Sequence, residues 1–316
     1  MDVQRIREAL SDGLLSFPIT DLDEGGNFDV ESYSARLRWF TSKDISAVFV
    51  AGGTGEFFSL SQDEYRQIVQ TASTIIGDKV PVIASVGRSI PEAIELAKIS
   101  ADAGIDGLLL MPPYLTGCPP DGAVAYAKAI IQSTDLPVIY YNRSNGILST
   151  PHLLELADAC PNLIALKDGT GDIQGLNDII KTLGDRLVYI GGVPTAEIIS
   201  EAYLAIGVNT YSSAVFNFVP DLALQYYRAL RAGNKEVTTQ ILQEFFIPFV
   251  RLRSRKKGYA VSLIKEGAKL IGKSAGDVRA PLVMPTATES QELARIIEGV
   301  TTPPQFSQSD SRSPGI

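Results

Sequence analysis

Residues Leu163 to Asp172 read LIALKDGTGD. Leu163, Ile164, Ala165 and Leu166 form an apolar run of strand length, and Asp168-Gly169-Thr170-Gly171 supplies the chemistry of a turn. Lys167 closes the strand, so its stem lies in apolar surroundings while its amine reaches the carboxyl end, where barrel enzymes assemble their sites. A free lysine is neutral in roughly one molecule in 2,500 at pH 7, so a nucleophilic lysine must be desolvated or set beside other cations. The plainer alternative is a lysine that emerges into solvent or pairs with Asp168.

Working outward, short apolar runs alternate with amphipathic stretches from residue 14 onward, the rhythm of repeated βα units. Eight strands are expected: Leu14-Phe17, Ala47-Val50, Val82-Ser85, Gly107-Leu110, Pro137-Tyr141, Leu163-Lys167, Leu187-Gly191 and Val208-Ser212. Near-continuous apolar strands with no dinucleotide fingerprint after the first favour an α/β fold of the closed (β/α)8 TIM-barrel kind over an open doubly wound sheet. Helix starts are marked by the capping-box pattern at Ser61-Gln62-Asp63-Glu64, by Ser89 with Pro91, by an N-cap at Thr150 before Pro151, and by Pro194-Thr195 and Pro220-Asp221. The alternation stops after Ala232-Gly233-Asn234. The expected organisation is therefore a barrel with a short N-terminal helix over residues 1–233, a C-terminal helical extension over 234–300, and a polar, proline-containing mobile tail over 301–316.

Composition excludes several classes of function. The chain has 316 residues, 45% of them hydrophobic, and a formal charge of -8, which argues against nucleic-acid and anionic-membrane partners. The basic run RLRSRKK, Arg251 to Lys257, reads as a solvated or subunit-facing helix end. Two isolated cysteines, Cys118 and Cys160, make neither a disulfide framework nor a zinc site and fit a reducing, cytoplasmic setting. The only histidine is His152, read as a surface helix residue, which removes histidine triads and histidine-rich metal sites. No metal and no cofactor is expected.

Candidate chemistry sits just after each strand. Strand two ends in Ala51-Gly52-Gly53-Thr54-Gly55-Glu56, where Gly53 and Thr54 can approach and hold a carboxylate; the alternative is a tight turn without a ligand. Strand five ends in Tyr140-Tyr141-Asn142-Arg143. A tyrosine there can relay a proton in the absence of histidine, and Tyr140 is read as core. Strand seven ends in Gly191-Gly192 and strand eight in Tyr211-Ser212-Ser213, small polar donors for a substrate's far end. The glycine pair also leaves a phosphate ligand open, although no further cationic anchor is evident beside it.

Together these motifs resemble the dihydrodipicolinate synthase/N-acetylneuraminate lyase family: Gly52-Gly53-Thr54-Gly55-Glu56, Tyr141-Asn142, and Lys167-Asp168-Gly169-Thr170-Gly171-Asp172, in order on three strands and in register over about residues 10 to 300. The resemblance implies a (β/α)8 barrel with a helical C-terminal extension, usually tetrameric, and a Schiff base between Lys167 and a 2-keto acid. It makes Tyr141 the proton-relay tyrosine, places the keto-acid carboxylate on Gly53 and Thr54, and makes Glu56 a structural brace. Gly53 replaces a threonine usual in the synthase. Leu115 stands where the synthase lends a tyrosine to a neighbouring subunit, and Asn142-Arg143-Ser144-Asn145-Gly146 lacks its longer arginine segment. These departures argue against dihydrodipicolinate synthesis. The YNRSNG and KDGTGD wording most resembles the branch that dehydrates and decarboxylates 5-dehydro-4-deoxyglucarate. For that substrate Arg143, Asn145, Gly192, Ser212 and Ser213 are the candidate distal contacts, the uncharged donors being preferred to an arginine clamp. A sibling 2-keto-acid aldolase, a non-catalytic keto-acid sensor and a phosphate-binding barrel are the rival readings.

Overall fold

The computed structural model describes residues 2–114 and 117–301. Leu115 and the tail from Thr302 onward lie outside the described residues, so the readings that fall on them are not addressed by the structure.

The eight apolar runs form one parallel sheet in sequential order: β1 (Leu15–Ser16), β2 (Ala47–Val50), β3 (Val82–Val86), β4 (Gly107–Leu110), β5 (Val138–Asn142), β6 (Leu163–Asp168), β7 (Val188–Gly191) and β8 (Thr210–Tyr211). A bridge from Leu15 to Ser212 and the bond from Ser213 N to Leu15 O (2.8 Å) join the last strand to the first and close the barrel. Every paired strand position but one, Val188, is buried, as expected when helices cover the outside and side chains fill the inside.

Side-chain alternation sorts each strand into two cores. Leu15, Phe49, Ile83, Leu109, Ile139, Ala165 and Ile190 point into the barrel, whereas Val48, Val50, Leu108, Tyr140 and Leu166 pack under the helices. The amphipathic helix Val3–Ser11, capped by Asp2, joins the inner core through Ile6 and Leu10 and so stoppers the amino end of the barrel. Arg7 fixes it there by donating to Ile164 O, Arg186 O and Asp185 O.

Local signals decide most helix starts. Ser61 and Glu64 make both halves of a capping box, Ser89 caps a helix with an early proline, and Pro220 opens Pro220–Arg231. Two starts differ from expectation. The Thr150–Ala159 helix is preceded by Ser149, not capped by Thr150, and the Ser149 hydroxyl pairs with Nδ1 of His152 (2.7 Å). After Pro194, Thr195 takes left-handed backbone (φ 56°) and leads only into a 3-10 turn before Ser200–Ala205, because its hydroxyl accepts from Arg253 instead of capping.

Beyond the barrel, Lys235–Ile241 continues through a π turn, Leu242–Phe246, into Ile247–Arg253. Pro248 explains the turn: it has no N–H to give the preceding carbonyls and its ring crowds the backbone one turn back. Phe245 and Phe249 from this rod pack on Phe218 from the chain after β8. Tyr259–Leu270 and Ala287–Thr301 complete the extension. A buried ion pair ties it to the barrel, Lys265 Nζ to Glu56 Oε1 at 2.8 Å.

Candidate active site

The pairing of β5 with β6 sets Tyr141 opposite Lys167 and Asn142 opposite Asp168. Register partners face the same side of a sheet, so Tyr141 and Lys167 both enter the barrel at its carboxyl mouth. Lys167 is 3% exposed, with Nζ 3.8 Å from the Tyr141 ring centre and 5.1 Å from that of Phe17. Its amine donates to Gly192 O at 3.3 Å, and the Tyr141 hydroxyl donates to the same carbonyl at 2.9 Å.

Asp168 does not neutralise this lysine. Its carboxylate is taken by Thr170 N and Oγ1 (2.9 and 2.6 Å), Gly171 N (3.1 Å) and the Tyr203 hydroxyl (2.6 Å). Among the described residues no ion pair reaches Lys167. Burial therefore holds its pKa below the ordinary lysine value, with the Arg143 cation pushing the same way and Tyr141 opposing. Burial alone would raise Tyr141, but the neighbouring Lys167 and Arg143 cations outweigh it and leave that hydroxyl more acidic than a free phenol. Arg143 donates to the Tyr141 hydroxyl at 2.7 Å.

Two glycines of the motifs are required by this packing. A Cβ on Gly192 would lie 2.6 Å from Lys167 Nζ and from Asp168 O, and one on Gly169 would lie 2.7 Å from Arg143 Cβ and 2.8 Å from the Tyr141 ring. On the opposite wall, the loop after β2 bends through left-handed backbone at Ala51 (φ 50°) and Glu56 (φ 58°), neither of them glycine. Such strain persists where neighbours over-determine it, and buried Glu56 is held by Lys265 and by Arg279 N (2.9 Å). That bent loop presents Gly53 and Thr54 to the cavity.

The cavity has a volume of about 470 Å³, within the range of small-molecule sites. Lys167, Tyr141, Gly53, Thr54, Gly192 and Ser212 line it, as do Arg143 and Asn145. Ser213 does not. One residue further along the chain than Ser212, it faces the other way, and its hydroxyl donates to Glu197 Oε1 at 2.6 Å. Tyr140 is likewise turned outward and donates to Gly146 O at 2.5 Å.

The C-terminal extension adds a roof that the sequence reading did not foresee. Phe249, Ala260, Val261 and Ile264 close the cavity from above, and Arg253 reaches it from within RLRSRKK. Only part of that run behaves as a surface helix end: Arg251 is exposed and Arg255 pairs with Glu292 (2.7 Å). The chain beyond Gly191-Gly192 thus does meet a cationic anchor, since Arg253 bonds Thr195. Beneath it, burial pushes the Glu197 carboxyl up to about 7. Among the described residues lining the cavity, three are basic and none is Asp or Glu. No cluster of three or more His, Cys, Asp or Glu suited to a metal occurs among the described residues.

Comparisons with known proteins agree with this geometry. A sequence model of the dihydrodipicolinate synthetase family matches residues 10–300. A protein of Rhizobium rhizogenes named probable 5-dehydro-4-deoxyglucarate dehydratase is 49% identical over 94% of this chain and 98% of its own length, and one of the same name from Acinetobacter baumannii is 46% identical over the same shares. Among solved structures, dihydrodipicolinate synthase of Bacillus clausii superposes with a TM-score of 0.85 at 25% identity, over 93% of this chain and 98% of that one. The Agrobacterium tumefaciens synthase does so with a TM-score of 0.82 at 27% identity, over 93% and 100%. With a match over nearly the whole barrel and its extension, and with the motif lysine and tyrosine meeting at the mouth, the chain belongs to the dihydrodipicolinate synthetase family.

Proposed function

We propose that this chain is a Schiff-base lyase that converts 5-dehydro-4-deoxyglucarate to 2,5-dioxopentanoate, water and carbon dioxide, acting in the cytoplasm as a homotetramer without metal or organic cofactor. The observation that carries the chemistry is the desolvated amine of Lys167, without a carboxylate partner among the described residues and in contact with Tyr141. The substrate is carried by the relatives at 46–49% identity named for that activity. A lining that, among the described residues, has three basic side chains and no carboxylate suits a substrate with an acid group at each end.

In this reading the C6 carboxylate rests on Gly53 and Thr54 while Lys167 forms an imine at C5. The imine acidifies C4, and Tyr141 or a water removes a C4 proton to leave an enamine. The enamine expels the C3 hydroxyl as water, with a proton returned from the same tyrosine or from solvent, leaving a conjugated iminium from C5 to C3. That cation is an electron sink two bonds from the C1 carboxylate. Breaking C1–C2 releases carbon dioxide and sends the electron pair into a dienamine. Protonation and hydrolysis then free the aldehyde product and Lys167. Gly192 O, which accepts from both Lys167 and Tyr141, keeps amine and hydroxyl side by side through these transfers.

The test is to incubate the protein with 5-dehydro-4-deoxyglucarate, follow carbon dioxide and product mass, and reduce a parallel sample with borohydride. Carbon dioxide, 2,5-dioxopentanoate and a reduced adduct on the Lys167 peptide are expected. Pyruvate with an aldehyde would make the chain an aldolase, and an adduct on another lysine would end the assignment of Lys167.

A further inference from the structure

Among the described residues lining the cavity, Arg253 is the one basic side chain without a part in this chemistry or a contact to a group that has one. Lys167 is the imine-forming amine, and Arg143 is turned back onto the Tyr141 hydroxyl at 2.7 Å. Arg253 comes from outside the barrel, as the last residue of Ile247–Arg253, and one arm of its guanidinium is fixed by the hydroxyl of buried Thr195. Glu197 is the nearest buried acid, yet its Oε1 accepts from Ser213 at 2.6 Å and no ion pair joins it to Arg253 among the described residues. Burial disfavours the Arg253 cation and Arg143 adds repulsion, with Glu197 only partly offsetting them. Two arginines lining one cavity that, among the described residues, offers no Asp or Glu call for an anion supplied by the ligand.

We infer that Arg253 is a specificity-determining residue that receives the second carboxylate of a dicarboxylic 2-keto acid whose first carboxylate lies at Gly53-Thr54. The inference rests on Lys167 as the imine lysine, which places the ketone below the Phe249–Arg253 roof. With Nη1 committed to Thr195, Arg253 offers the carboxylate only part of its donor fork. Such a contact orients the group without the full bidentate grip that would hold back its departure as neutral carbon dioxide. The helical extension thereby selects the substrate's far end, while the barrel performs the chemistry at the near end. It adds a partly committed arginine to the uncharged donors preferred from the sequence for that end.

The experiment compares two six-carbon keto acids that differ only at the far terminus, 2-oxoadipate with a carboxylate and 2-oxohexanoate with a methyl group. Borohydride trapping on the Lys167 peptide, measured against probe concentration, gives each apparent affinity and their ratio. The wild-type protein should prefer 2-oxoadipate. Arg253→Met should lower that preference by about 10- to 100-fold, as expected for losing one charge-assisted contact, and Arg253→Lys should restore part of it. An unchanged ratio in Arg253→Met, including equal losses on both probes, would make Arg253 a staple of the β7 loop and overturn the inference. A wild-type protein that forms no Lys167 adduct with either probe would instead overturn the imine reading, and this inference with it.

Discussion

Tyr141→Phe separates imine formation from proton transfer. The substitution removes a hydroxyl that donates to Gly192 O and accepts from Arg143, while the ring over which Lys167 sits is kept. Gly192 O retains the Lys167 donor, and half-buried Arg143 can turn to water, so the expected stability cost is only about 1–2 kcal/mol for two modest hydrogen bonds. The influence on Lys167 has a definite sign. Tyr141 raises the lysine pKa, so its loss leaves the amine more often neutral and able to attack a ketone. Borohydride trapping at neutral pH should therefore stay within a few-fold of wild type. Turnover should fall by roughly 10²- to 10⁴-fold, about 3–5 kcal/mol of barrier, because the positioned proton donor is gone. Trapping and steady-state carbon dioxide release on the same preparation measure both quantities. Unchanged turnover would move the proton relay to Thr54, a water or the substrate. Trapping lost in proportion to turnover would show that the hydroxyl positions Lys167 and does not carry protons.

The remaining expectations concern charge. Arg143 lowers the pKa of both Lys167 and Tyr141, so Arg143→Met should raise both; a higher pH is then needed to free the amine, and the acidic limb of the kcat/KM profile should move upward. A limb that stays put or moves down would show that Arg143 does not set these titrations. Lys265→Met should destabilise the protein by about 3–5 kcal/mol by stranding the buried Glu56 carboxylate, and Glu56→Gln in the same chain should recover much of that loss. Additive losses in chemical denaturation would refute the pairing as the brace between barrel and extension.

Much of this was legible along the chain because barrel strands are short, apolar and regularly spaced. Seven of the eight agree with the expected ranges to within one residue at each end, and β8 is shorter than expected because only Thr210 and Tyr211 pair in the ladder. Lys167 and Tyr141 could be read as site residues because each lies at the carboxyl end of a strand, one position before its last residue, and that end of a barrel strand is the mouth. The same alternation could have separated Ser212 from Ser213, since neighbouring residues of an extended chain cannot both face inward; proposing both overlooked that period. Arg253 had no such signal. In the seven-residue run RLRSRKK, which basic side chain turns toward the cavity depends on tertiary contacts, among them the packing of Phe245 and Phe249 on Phe218 and the bond from Arg253 to Thr195.

By itself, the sequence determined the barrel, its parallel order and the identity of the lysine and tyrosine at its mouth, because these follow from local periodicity and from strand ends that neighbours in sequence create. The tertiary structure decided what surrounds them. Register brings Tyr141 opposite Lys167, Asp168 is drawn away by Tyr203, and residues nearly 90 positions later, in the extension, supply Arg253 and the apolar roof. Whether a lysine is paired or left uncompensated, and whether an arginine meets water or a cavity, depends on groups distant in sequence that only folding brings within a few ångströms.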